Sequence, residues 1–252
     1  MSTMASTNRL DRPETALRTI EPAQQSAAKA AGFLYLFTMA TAIFGESYVR
    51  GRLIAPGDAV QTAKNVAASE WLYRISIASD LIMIVAVVIL VWALYVVLEP
   101  VNRRVALLAA FLRLVENAIA AAGIINSFIV LRVLSGTKYL EAFETAQLQM
   151  LARLFLGAQG ASLGIAFVFC GVGSTVFSYL WLRSRYIPRA LAALGIFSSL
   201  VLAVVGLAIM VFPGLAAMGL TYMVPMFFYE VGLGLWLLVK GIQAPPARAS
   251  AA

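Results

Sequence analysis

"LIMIVAVVILVWALYVVL", Leu81 to Leu98, is an unbroken run of eighteen apolar residues lying between two carboxylates, Asp80 and Glu99. With the mostly apolar residues before it, the segment Leu72–Leu98 comfortably exceeds the ~20 helical residues that cross a ~30 Å hydrocarbon core. A soluble core helix has no need of such a run, because one of its faces must meet water. The segment reads as a membrane span. The rest of the chain agrees, with 62% hydrophobic and only 12% charged residues, where a soluble domain carries about 25% charged residues. There is too little polar surface to cover a water-soluble globule, so lipid must serve as solvent.

Working outward, five more apolar stretches predict further spans at Ala30–Val49, Val105–Leu134, Leu151–Leu182, Ala190–Phe212 and Met218–Lys240. The fold class is therefore all-α, a polytopic bundle of six transmembrane helices. Residues 1–29 read as a disordered cytoplasmic tail, 30–242 as the transmembrane domain, and 243–252 as a short flexible tail. The first apolar stretch lacks the flanks and cleavage site of a signal peptide, so it is expected to stay in the protein. Connections at Glu99–Arg104 and Arg183–Arg189 are short and basic, whereas those at Arg50–Trp71 and Ser135–Met150 are long. With both termini on one side, that side holds eleven Lys and Arg residues against five on the other, which predicts cytoplasmic termini. Three further arginines, Arg74, Arg113 and Arg153, fall within helices. The net charge of +7 is read the same way, as loop asymmetry and attraction to anionic lipid, and predicts no nucleic-acid partner.

The first outer loop carries its own punctuation. Pro56-Gly57 predicts a turn, and Asp58 with Gln61 predicts a capping box opening a short interfacial helix. The apolar face expected of that helix is Ala59, Val60, Ala63, Val66 and Ala67.

Chemistry is bounded by two absences. The chain has no histidine and a single cysteine, Cys170. These exclude internal disulfides, His-ligated zinc or haem, and Ser-His or Cys-His triads. No metal site and no cofactor are expected, so proton chemistry would fall to carboxylates, tyrosines, amines or water.

Charged residues within spans are costly and normally face the bundle interior. The candidate polar intramembrane site comprises Glu46, Arg50, Arg52, Asp80, Arg113, Glu116, Asn117 and Glu230. Arg113, Glu116 and Asn117 share one helix face by their i, i+3, i+4 spacing, which Ala120, Gly123 and Ser127 continue. Arg113 with Glu116 is equally well read as a self-neutralising pair. Asp80 has no partner on its own helix and must find one on another or carry a proton. Glu230 follows Pro225 by five residues, a position next to an expected kink. Arg50 and Arg52 lie on the less basic side and want a partner, either Glu46, Asp80 or an anion. Gly157, Gly160, Ala161, Gly164 and Gly171 predict close helix contacts along one face of the fourth span.

The blocks "GESYVRGRLIAPGDAVQTAKNVAASEWLYRISIASDLIMIV" (Gly45–Val85), "VNRRVALLAAFLRLVENAI" (Val101–Ile119) and "FYEVGLGLWLLVKGI" (Phe228–Ile242) resemble the domain of unknown function 4386 family. The resemblance runs from about Ala30 to Ile242. It implies an all-helical protein of the bacterial inner membrane and marks Glu46, Arg50, Arg52, Pro56, Gly57, Asp58, Glu70, Arg74, Asp80, Arg113 and Glu230 as signature positions without roles. It supplies no activity.

Three functions stay open on these residues. One is a non-catalytic membrane component in which the charges specify assembly. Another is a binder or transporter of a small molecule or lipid, for which six spans would call for a homodimer. The alternative is an intramembrane enzyme acting on a lipid or isoprenoid, with Asp80 or Glu230 as general acid.

Overall fold

A computed structural model of the chain describes residues 20–135, 143–219 and 221–244. Those residues are helical apart from short connections, and six helices are long and apolar enough to span a membrane. Helix α1 runs Pro22–Leu53, α2 Ala59–Ala68, α3 Glu70–Leu98, α4 Arg103–Leu134, α5 Thr145–Ser184, α6 Arg189–Val211 and α7 Val224–Val239, with α2 the short one in the first loop. Each span packs on its neighbour in sequence, and α7 returns to α1, so the six close into a ring.

Several boundaries move from their expected places. The first helix begins at Pro22, a residue suited to an opening turn because its missing N–H would be unpaired there anyway. Residues 22–29, expected in the tail, are therefore helical. Gln24 is buried and donates to the Val97 carbonyl (2.8 Å), while Gln25 accepts from the Ile242 amide (3.1 Å). Gln243 donates its amide to the Tyr186 carbonyl (3.0 Å). Polar side chains that disfavour a span on hydropathy tie both ends of the chain to the bundle. The remaining tail residues, 1–19 and 245–252, lie outside the described residues.

Pro225 does not kink a span. It sits in the first turn of α7, preceded by a 3-10 turn at Thr221–Met223. The proline starts the helix, and Glu230 lies two turns in. The fourth span is the longest, 40 residues or about 60 Å at 1.5 Å per residue, so it outreaches the hydrocarbon core.

The first loop between spans follows its expected punctuation in part. Gly57 adopts φ +79° and Asp58 donates its amide to Ala55 (3.2 Å), a turn in which Gly57 takes the left-handed position. Asp58 Oδ1 accepts from the Gln61 amide (2.8 Å), as an N-cap should. The reciprocal half of the capping box is replaced, because the Gln61 side chain donates to Asn65 Oδ1 (2.7 Å) instead. The buried stripe of α2 is Thr62, Ala63 and Val66, whereas Val60 and Ala67 are exposed.

Two apolar cores are separated along the bundle, called inner at the end where the first and last described residues lie and outer at the opposite end. The inner one joins all six spans through residues such as Ala31, Leu94, Ala109, Trp181, Leu202 and Leu233. The outer one joins only α1 to α5, through Val49, Val66, Tyr73, Ile77, Ile124 and Leu156. Close approach is concentrated at the inner core. A Cβ on Gly171 would lie 2.5 Å from the Ser199 carbonyl oxygen, so α5 meets α6 backbone to backbone. Added Cβ atoms at Gly157 and Gly160 would meet nothing within 4 Å. The expected small-residue face is thus used at Gly171 and faces outward at Gly157 and Gly160.

Candidate functional site

Six of the eight predicted polar residues gather into two clusters, separated on α5 by the eleven steps from Gln159 to Cys170, about 16 Å of helix rise.

The outer cluster is built on the last turns of α1. Ile43–Arg50 is π-helical, with wider turns than the α-helix before it. Such segments are rare and are frequently found at functional sites. Here the widened segment carries Arg50 inward, leaving 4% of it exposed. Its Nη1 donates to Glu46 Oε1 on the same helix (2.8 Å), and its Nη2 donates to Asp80 Oδ2 on α3. From α5, Gln159, its amide assigned the orientation that turns its oxygen to the guanidinium, accepts from Nε (3.3 Å) and Nη2 (3.2 Å). Four of the five N–H groups of the guanidinium are thereby taken by three helices. Gly45 makes this fit possible, since a Cβ there would sit 2.9 Å from Asp80 Oδ1. Below the cluster the buried Tyr73 hydroxyl lies in the field of Arg50 and Asp80 and near Ser127, without a well-formed hydrogen bond.

Asp80 has found its partner on another helix, and the arginine question resolves unevenly. Arg50 faces both carboxylates. Arg52 is exposed and lies over the Tyr48 ring, 3.9 Å from its centroid. This is a cation–π contact at the outer rim, away from the carboxylates.

The second cluster lies deeper. Arg113 Nη1 approaches Glu116 Oε2 on its own helix (3.0 Å) and donates to the Cys170 sulfur on α5. Glu116 Oε2 is sealed from solvent and is angled so that the ion pair is not also a hydrogen bond. Asn117 shares the face of Arg113 but is spent elsewhere, donating to the Ile84 carbonyl of α3 (3.0 Å). Glu230 on α7 and Tyr35 on α1 lie in the field of Arg113. Beside Glu230, the Tyr229 hydroxyl pairs with Ser178 of α5 (3.0 Å). The signature pair Glu70 and Arg74 is an exposed bridge within α3 (2.6 Å).

Sequence reasoning missed Gln159, Tyr73 and the polar use of Cys170. Gln159 carried a usable signal, an amide alone among apolar and small residues in a span. Cys170 did not, because thiols are common in apolar interiors. Among the described residues no group of three or more Cys, Asp or Glu side chains could hold a metal ion.

A ring of six helices long and apolar enough to cross a membrane, with Arg50, Asp80 and Arg113 buried inside it, defines a multi-pass α-helical membrane protein. Residues 30–241 match the domain of unknown function 4386, and the chain belongs to that family. No curated protein and no solved structure matches the chain.

Proposed function

We propose that the protein is a non-catalytic component of the bacterial inner membrane, with both termini in the cytoplasm, whose outer polar cluster is an assembly clamp. One observation carries this reading: the guanidinium of Arg50 is nearly saturated by Glu46, Asp80 and Gln159. An arginine meant to seize an anion keeps a free fork of N–H donors. This one spends them joining α1, α3 and α5, three of the helices of the outer core. The eleven-to-five distribution of basic residues supports the orientation.

Breaking a buried pair by removing one partner costs about 3–5 kcal/mol, whereas replacing the whole pair by apolar residues is often neutral. Asp80→Asn should therefore destabilise ligand-free protein in detergent by about 3 kcal/mol. Arg50→Met combined with Asp80→Leu should recover most of that loss. A ligand site behaves in the opposite way, since its strained charges relax when neutralised and stability rises. An unchanged or raised unfolding midpoint for Asp80→Asn would therefore sink the clamp.

A further inference from the structure

One partly buried arginine has no partner. Among the described residues every other lysine and arginine is either exposed or, like Arg50 and Arg113, buried and paired. Arg153 is only partly exposed and makes no hydrogen bond, ion pair or ring contact among those residues. Helix α5 carries no carboxylate to neutralise it. Eighteen residues separate Arg153 from Gly171, which is five full turns at 3.6 residues per turn, so the two leave α5 along one line. Gly157, Gly160 and Gly164 fall four, seven and eleven residues after Arg153 and share that line. Its inner part is covered by α6. Gly171 meets Ser199 and Ala203, and a Cβ on Gly164 would lie 3.6 Å from Met210 Cε. Helix α6 then ends at Val211. From Gly164 outward to Arg153 the line runs about 16 Å, and the added Cβ atoms at Gly157 and Gly160 meet nothing within 4 Å. Glycine is unfavourable in a helix relative to alanine, and no contact within the chain requires these two. At the foot of this trench the end of α6 exposes Val211, Phe212 and Leu215, and residues 190–229 hold no charged side chain. With 23 residues, α6 is about 34 Å long and matches a ~30 Å hydrocarbon core. Its end therefore marks the edge of the hydrocarbon, and Arg153 stands on the head-group side of that edge.

We propose that this trench is a binding site for one phospholipid with an anionic head group, its phosphate on Arg153 and an acyl chain laid over Gly157 and Gly160 toward the apolar end of α6. Arg153 keeps the free fork of N–H donors that Arg50 has spent, and a guanidinium receives a phosphate through two parallel N–H···O bonds. The glycines remove the side chains that would hold an acyl chain off the helix. The uncharged end of α6 gives that chain a surface to lie on. A second copy of the protein fits the same glycines less well. A two-fold pair crossing at Gly157 would bring both Arg153 side chains together one turn away, and α5 has no carboxylate to place between them. The site does not rest on the Arg50 clamp, since Gln159 turns to a different, buried side of α5.

The test uses the full-length protein, delipidated in a neutral detergent, with dioleoylphosphatidylglycerol as the anionic lipid and dioleoylphosphatidylcholine as the zwitterionic one. Native mass spectrometry counts the lipid retained per chain as each is titrated. Three variants are compared. Arg153→Gln removes the head-group anchor, Gly157→Leu fills the trench, and Lys64→Gln removes an exposed charge at the same end of the bundle. Saturable binding of one phosphatidylglycerol, about tenfold tighter than phosphatidylcholine, is expected in the wild type and in Lys64→Gln. Arg153→Gln and Gly157→Leu should each weaken it about tenfold, which is about 1.4 kcal/mol. Equal binding of the two lipids overturns the proposal, as does phosphatidylglycerol binding that survives either variant or is lost equally in Lys64→Gln. Inorganic phosphate that displaces the lipid at equimolar concentration would assign Arg153 to a free anion. A dimer that Gly157→Leu converts to a monomer would assign the glycines to a second copy. Both results overturn the proposal. Without lipid, Arg153→Gln should unfold at the wild-type midpoint, because its side chain has no partner to lose. A midpoint lowered as far as that of Asp80→Asn shows a structural arginine and also overturns it. Failure of the clamp would show in Asp80→Asn alone and leave these outcomes in place.

Discussion

Gly45 and Gly157 are both helical glycines in spans, yet their replacement by alanine should have opposite consequences. In an open helix position, Gly→Ala gains about 1 kcal/mol, from lower chain entropy in the unfolded state and better helix propensity. Gly157 is such a position, since its added Cβ meets nothing within 4 Å. At Gly45 the same gain is opposed. The new Cβ would lie 2.9 Å from Asp80 Oδ1 and 3.4 Å from Arg50 Nη1. The carboxylate cannot swing aside cheaply, because its other oxygen accepts from Arg50. Overpacking of this kind costs about 1–3 kcal/mol. The two variants should therefore differ by about 1–3 kcal/mol, with Gly157→Ala the more stable. Unfolding by a denaturing detergent in mixed micelles, followed by far-UV circular dichroism, measures the difference. A double-mutant cycle with Asp80→Ala should show coupling of about 1 kcal/mol or more, as removing the carboxylate removes the clash. If Gly45→Ala is stabilised as much as Gly157→Ala, the clamp is not packed as described, and the role assigned to the π-helical turn falls with it.

Other positions test neighbouring parts of the bundle. Asn117→Ala removes the bond to the Ile84 carbonyl between α4 and α3 and should cost about 1–2 kcal/mol in the same assay; no loss would place Asn117 in the polar cluster rather than in packing. Asp58→Ala removes the N-cap of α2 and should cost about 1 kcal/mol, seen as faster amide exchange confined to Ala59–Ala68. Arg52→Ala lies at the exposed rim and should change stability by no more than about 0.5 kcal/mol; an effect as large as that of Asp80→Asn would return Arg52 to the clamp.

The candidate site was legible as a set of residues more than as an arrangement. Charges in spans are conspicuous in any hydropathy reading, so Glu46, Arg50, Asp80, Arg113, Glu116 and Glu230 stood out. Pairs on one helix could be foreseen, because i, i+3 and i, i+4 spacing places side chains side by side. Arg50 with Glu46 and Arg113 with Glu116 are of this kind. Asp80 was known to need a distant partner, but nothing in its neighbourhood could name Arg50 over Arg52. Two residues apart on a regular helix, those arginines face different ways. The π-helical turn changes which way each faces, and no local propensity announces it.

The sequence by itself determined the number of spans, their order and the chemistry they exclude. Hydropathy and residue counts are properties of the chain as a string, and a 30 Å hydrocarbon core reads them directly. Tertiary structure decided that the charges form two layers and not one, that Gln159 and Cys170 belong to them, and that Asn117 does not. It also made a helix start of Pro225 and turned Gln24 and Gln25 from tail into bundle. Each of these depends on the rotation and depth of one helix against another. Those are set where side chains interlock, at contacts such as Gly171 against Ser199 and Gly45 against Asp80. Such contacts join residues tens of positions apart, so no window of sequence contains both halves.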